Sequence, residues 1–183
     1  MSINPDLVST AWWFAAEAHG DQKVPGTELP YLTHIGNVML EVMAACENSY
    51  VEQPELAVQC AILHDVIEDT PTAVDNVEAM FGPQVTAGVL ALTKDKSLPS
   101  KHEQMVDSLN RIQQQPHGVW LVKMADRISN LRPPPSHWSV EKAAAYRDEA
   151  QLIYDALHEA NDYLADRLAE KIATYPISQN RND

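Results

Sequence analysis

The chain has 183 residues, 45% of them hydrophobic, enough for one domain with a real core. Its formal net charge is −13, which argues against nonspecific nucleic-acid binding and against an anionic membrane surface. No run approaches the roughly 20 apolar residues that cross a bilayer, and the polar start Ser2-Ile3-Asn4-Pro5-Asp6 has no basic n-region, so a cytoplasmic protein is expected.

In chain order the pattern reads as helix after helix, punctuated by proline and glycine. Asn4 caps a first helix with Pro5 at its first position and Gly20 at its stop. A loop, Val24-Pro25-Gly26-Thr27-Glu28-Leu29-Pro30, leads to a second helix near His34 that carries Val38, Met39, Val42 and Met43 at helical spacing. A third starts at Pro54 and is expected to end near Val66. Cys46 and Cys60 sit in these apolar patterns and read as buried thiols. Thr70-Pro71-Thr72 opens a short helix that stops before Gly82, and Pro83 opens another through Leu92. Ser100 and Glu103 match a capping box for a helix to about Gln115. An apolar helix spans Gly118 to Leu131 and is closed by Pro133-Pro134-Pro135. Ser139 caps a long helix, and a last one runs to about Thr174. No segment alternates as a strand would. The expectation is an all-α bundle of roughly eight to ten helices over residues 1–175, with a polar tail over 176–183.

The chemistry-bearing stretch is His64-Asp65, followed by Glu68-Asp69. Adjacent helical side chains diverge by about 100°, so both reach one ion only if it lies near the face between them. An imidazole beside a carboxylate suits manganese, iron or zinc better than calcium or magnesium. Glu68 lies one turn beyond His64 and can hold a water without being a ligand. Locally, Glu68 and Asp69 read equally as helix-end residues. Asp126 sits in an apolar helix, where a carboxylate needs a cation, either a metal or Lys123 or Arg127 of the same helix. His34 opens a helix after a loop, a place where a cap is as common as a ligand. Spacing alone does not bring these four together.

Taken in order, several motifs resemble the HD-type hydrolase domain of RelA/SpoT alarmone proteins, above all its small single-domain members. They are His19-Gly20-Asp21-Gln22, Pro30-Tyr31-Leu32-Thr33-His34, Leu63-His64-Asp65-Val66-Ile67-Glu68-Asp69-Thr70, Phe81-Gly82, and Lys123-Met124-Ala125-Asp126-Arg127-Ile128-Ser129-Asn130. The likeness covers roughly residues 8 to 157. It implies that His34, His64, Asp65 and Asp126 are metal ligands, with Mn²⁺ first and iron, cobalt or zinc as alternatives. It also implies that Glu68 and Asp69 position and deprotonate the attacking water. Tyr31, Lys96, Asn130, Lys142, Tyr146 and Lys23 become substrate contacts. As plain residues, Lys96 and Lys142 read as solvated charges and Tyr146 as a core aromatic.

The activity implied is one-way hydrolysis of a nucleotide 3′-diphosphate, (p)ppGpp or (p)ppApp, to pyrophosphate and a nucleoside di- or triphosphate. The chain departs from the pattern after Gln22. Lys23-Val24-Pro25 stands where relatives carry an arginine against guanine, and an ammonium does not stack as a guanidinium does. Guanine and adenine substrates both fit. The rival readings are another HD nucleotide phosphohydrolase and a non-catalytic nucleotide-binding module.

Overall fold

A computed structural model describes residues 3–176. The polar tail expected from 176 onward lies, past its first residue, outside the described residues. The described chain forms α1 (Pro5–His19), α2 (Leu32–Asn48), α3 (Pro54–Leu63), α4 (Val66–Asp69), α5 (Val74–Leu92), α6 (Lys101–Ile112), α7 (His117–Asn130), α8 (Val140–Leu157) and α9 (Asp162–Thr174). A single 3₁₀ turn, His158–Ala160, joins the last two. The fold is all-α. Among the described residues the only β pairing is an isolated bridge between Lys23 and Pro30, which closes the loop after α1.

The helix starts follow side-chain capping. Asn4 accepts the Asp6 N–H, Ser139 the Lys142 N–H and Asn161 the Leu164 N–H. Ser100 accepts from the Glu103 N–H while its hydroxyl donates to the Glu103 carboxylate at 2.7 Å. Each cap satisfies an N–H that the first helical turn leaves without a partner.

The core is organised around α3, where every residue from Leu56 to Leu63 is buried. A helix apolar on all sides must be wrapped, and α1, α2, α5 and α7 pack around it. The α7 helix lies next to it and also carries α8 and α9. Fully buried Ile35, Ile62, Leu63, Leu121, Met124 and Ile128 knit α2, α3 and α7 together. Burying one such side chain contributes about 1.5–3 kcal/mol. The α5–α3–α7 crossing is close because Gly88 has no side chain: a Cβ there would stand 2.8 Å from the Cys60 Sγ and 3.0 Å from Val119.

Two boundaries differ from expectation, and one of them matters to the site. The apolar pattern runs on to Val66, yet α3 ends at Leu63, turns at His64-Asp65, and restarts as the short α4. The turn lets two consecutive side chains converge where an unbroken helix would spread them. Thr70-Pro71-Thr72 does not begin a helix, which starts instead at Val74 with extended Ala73 before it. The break expected at Gly82 is present: α5 is two helical stretches, 74–81 and 83–92, run together across Gly82, which leaves helical geometry at φ 80° and ψ 171°.

Candidate metal and catalytic site

Three helices deliver the site. His34 comes from the first turn of α2, His64 and Asp65 from the turn between α3 and α4, and Asp126 from the middle of α7. The Nε2 atoms of His34 and His64 approach to 3.3 Å. Asp126 Oδ1 lies 3.4 Å from His34 Nε2 and 4.0 Å from His64 Nε2. Asp65 Oδ2 lies 3.0 Å from His64 Nε2 and 3.6 Å from His34 Nε2. One donor atom from each of His34, His64 and Asp126 falls within 4.8 Å of the others. Both imidazoles are buried.

The outer partners aim these groups. His64 Nδ1 bonds the Ala61 carbonyl at 2.8 Å, and that oxygen can only accept. The ring hydrogen is therefore on Nδ1, and a neutral His64 turns the Nε2 lone pair inward. His34 Nδ1 meets the Ser129 hydroxyl at 3.3 Å. Two basic nitrogens and two carboxylate oxygens thus face one small space, an arrangement that a cation relieves and that water alone does not. The donor set, two nitrogens and two oxygens, fits a divalent transition metal.

Without a metal, a proton takes that part. Burial acts to lower the His34 pKa, but hydrogen bonds and charge from Asp126 and Asp65 outweigh it and lift the ring from 6.5 to about 9. His64 moves upward for the same reasons, chiefly Asp65 set against its burial. Burial also opposes the charge on Asp126, yet Lys123 and the imidazoles hold it ionised far below the usual carboxylate range. Asp65 is held down likewise by the two histidines and Tyr31.

Glu68 and Asp69 lie on α4 beside this centre. Glu68 Oε2 accepts the Lys94 N–H at 2.9 Å, and its other oxygen is 3.7 Å from Lys94 Nζ. The Asp69 carboxyl is pushed upward by burial and by the charges of Asp65 and Glu68, with Lys96 and Tyr31 opposing. That combination makes it a better proton acceptor than a solvated aspartate.

A cavity of about 130 Å³ holds Tyr31, His34, His64, Asp65, Glu68, Asp69, Lys94, Lys123, Asp126 and Asn130 on its walls. Sharing His34 and Asn130, a second cavity of about 850 Å³ extends away between the Val24–Leu29 loop, Arg132, Pro133, His137, Trp138 and Tyr146. Among the described residues no Asp or Glu lines it, in a chain with 26 of them.

The other sequence-selected residues fall into two groups. Asn130 is near the centre, its Nδ2 donating to Asp126 Oδ1 at 2.6 Å. Lys96 is exposed, donates to the Glu68 carbonyl at 2.9 Å and stands 3.8 Å from Asp69. Tyr31 is buried, with its hydroxyl donating to Asp65. Farther out, Tyr146 lines the large cavity with its ring over the Arg127 guanidinium, 4.5 Å away. Lys142 lies over the Trp138 ring at 4.4 Å, and Lys23 is exposed and lines neither cavity. Of the two cations weighed for Asp126, Lys123 pairs with it at 3.2 Å, whereas Arg127 pairs with Glu149. Sequence reasoning passed over Lys94, which lines the small cavity. The signal available was its position two residues before Lys96 at the end of α5.

A buried imidazole–carboxylate cluster carried on a helical bundle defines a class, and the comparisons agree with it. The HD domain family matches residues 11–162, and the chain belongs to that family. Within it, the chain is similar to guanosine-3′,5′-bis(diphosphate) 3′-pyrophosphohydrolase MESH1 of Homo sapiens, at 34% identity over 164 residues, 85% of this chain and 87% of that one. The Danio rerio protein of the same name is 33% identical over 162 residues, 86% of this chain and 87% of the relative. A solved structure described as a metazoan ortholog of SpoT that hydrolyzes ppGpp superposes with a TM-score of 0.81 at 28% identity, covering 97% of this chain and all of the other. No helix among the described residues is long and apolar enough to cross a membrane.

Proposed function

We propose that the protein hydrolyses the 3′-diphosphate of an alarmone nucleotide, (p)ppGpp or (p)ppApp, releasing pyrophosphate and GDP or GTP, ADP or ATP. The observation that carries this reading is the meeting of His34, His64 and Asp126 in one cluster, with Asp65 against the imidazoles and Glu68 and Asp69 along the same cavity wall. The similarity to 3′-pyrophosphohydrolases over 85% of the chain supports it.

His34, His64, Asp65 and Asp126 would hold one divalent ion, which we take to be Mn²⁺, with iron, cobalt or zinc as alternatives. Such an ion supplies Lewis acidity to a phosphoryl oxygen and to the attacking water. The remaining work falls to the chain. Glu68, anchored by the Lys94 N–H, orients the water, and Asp69, with its raised pKa, accepts the proton. The water oxygen joins phosphorus, the bond from phosphorus to the ribose 3′-oxygen breaks, and a proton passes to that oxygen. Lys94 and Lys96 offset the charge of the departing diphosphate against the acidic background. Asn130, at the junction of the two cavities, contacts the ribose.

The nucleoside occupies the larger cavity, where the absence of carboxylates and the presence of Arg132 and His137 suit an anionic ligand. Tyr146 lines that space and Lys142 lies beside it against Trp138, while Lys23, exposed at the base of the neighbouring loop, would have to swing inward to meet the ligand. One hydrolase domain over residues 1–175, working in the cytoplasm, accords with the two free buried thiols.

The test is a Mn²⁺-dependent turnover panel of guanine and adenine 3′-pyrophosphorylated nucleotides, read by product. Pyrophosphate release is expected. Orthophosphate or triphosphate as the product would move the protein to another HD nucleotide hydrolase. Tight nucleotide binding with no turnover would make it a sensor.

A further inference from the structure

We propose that Tyr31 is a positioning residue of the centre, its hydroxyl clamping the Asp65 carboxylate against the two imidazoles and separating it from Asp69, and not a contact to substrate. The roles of Asp65 and Asp69 used here rest on the hydrolase reading above.

A phenol has one hydrogen to donate. Two carboxylates compete for it: Asp65 Oδ2 at 2.5 Å and Asp69 Oδ2 at 3.4 Å. The shorter contact takes the hydrogen. That bond is charge-assisted, the strong kind, and it fixes the oxygen that also lies 3.0 Å from His64 Nε2. Asp69 keeps only the long 3.4 Å contact to the phenol, which leaves its carboxylate freer to accept a proton. Among the described residues no other side chain hydrogen-bonds to both carboxylates.

The phenol is itself held from behind. Its ring is buried and lies between the rings of His19, at 4.8 Å, and His34, at 5.4 Å. His19 is tied by its Nδ1 to Gln22 Oε1 at 2.8 Å. Gln22 in turn accepts the Tyr31 N–H through its main-chain carbonyl at 2.9 Å. The three residues form a closed brace at the base of the Lys23–Pro30 loop.

His19 Nε2 is buried with no hydrogen-bond partner. An orphaned polar atom of that kind costs about 1–3 kcal/mol. It is retained where a flat ring must both pack against Tyr31, tilted by 33°, and bond Gln22, which no aliphatic side chain does. A substrate-contacting tyrosine would need a free hydroxyl, and although Tyr31 lines the small cavity its hydroxyl is committed to Asp65.

Tyr31→Phe deletes one oxygen and keeps the ring. The readouts are Mn²⁺ affinity, by titration against the signal of the free ion, and the separate effects on kcat and KM at saturating Mn²⁺. Loss of an outer partner of a ligand costs about ten- to a hundredfold in metal affinity. The expected result is a Mn²⁺ Kd weakened by that factor, a lower kcat, and a KM within about twofold of wild type. His19→Phe, which keeps an aromatic ring but releases Gln22, should weaken Mn²⁺ binding in the same direction and less. Unchanged Mn²⁺ affinity with a raised KM in Tyr31→Phe would overturn the proposal and make Tyr31 a substrate contact. A wild type that binds no Mn²⁺ would overturn it as well. Weakened Mn²⁺ binding in Tyr31→Phe would support it even if neither protein released pyrophosphate, an outcome that would sink the hydrolase reading alone.

Discussion

At the scale of single residues, the centre's groups divide by what their loss removes. Asp126→Ala and Asp65→Ala delete donors that face both imidazoles. Each should abolish Mn²⁺ binding and turnover together, as measured by metal content and pyrophosphate release. Glu68→Ala should leave the metal in place and lower kcat about 10²-fold or more, the scale of a general acid–base contribution. Near-normal turnover in that variant would remove Glu68 from the mechanism. Metal uptake must also displace a proton, because His34 is lifted to about 9 in the metal-free protein. Mn²⁺ binding should therefore strengthen as pH rises toward 9 and release at least one proton per ion near neutrality, from His34 and from His64, which is raised as well. Calorimetry in buffers of different protonation enthalpy counts the protons released. The sign reverses for the metal-free fold. The stability contributed by the raised His34 is fully present below 6.5 and is lost as pH climbs through about 9. The donors themselves were legible as a series of short motifs. Their partners were not, because Tyr31 meets Asp65 across 34 positions of chain and Glu68 meets Lys94 across 26, distances that no local pattern carries.

At the scale of helices, capping and punctuation were readable. Asn4, Gly20, Ser100 and Ser139 stand where the sequence puts them, because a cap is a contact between near neighbours. The break at His64-Asp65 was not readable, since apolar periodicity passes through it and what favours the turn is the gathering of imidazoles and carboxylates from three helices. Nor was the tightness of the α5–α3–α7 crossing visible in the pattern. It predicts that Gly88→Ala, with its new methyl 2.8 Å from the Cys60 Sγ, destabilises by about 1–3 kcal/mol. At about 2–4 °C per kcal/mol for a chain of this size, the midpoint should fall several degrees in a thermal melt. Pairing it with Cys60→Ala, which vacates the space, should restore part of the loss. An additive pair would mean that the crossing is looser than described.

At the scale of the molecule, the ion would join α2, the α3–α4 turn and α7, so its removal should be felt globally. A ligand at a hundred times its Kd stabilises the folded state by about 2.7 kcal/mol. Chelation should lower the midpoint by about 5–11 °C at the same scale of degrees per kcal/mol, and Asp126→Ala should melt at one temperature with or without Mn²⁺. The all-α architecture was legible from sequence because the alternatives, strands and membrane spans, leave patterns that this chain lacks. The large cavity was not, since its walls come from the loop after α1, the end of α7 and the face of α8. The order of the donors along the chain has its own consequence during synthesis. A ribosome delivers His34, His64 and Asp65 well before Asp126. The unfinished chain therefore carries both imidazoles but lacks the carboxylate that completes the cluster, and firm capture of an ion would wait until α7 has emerged and docked.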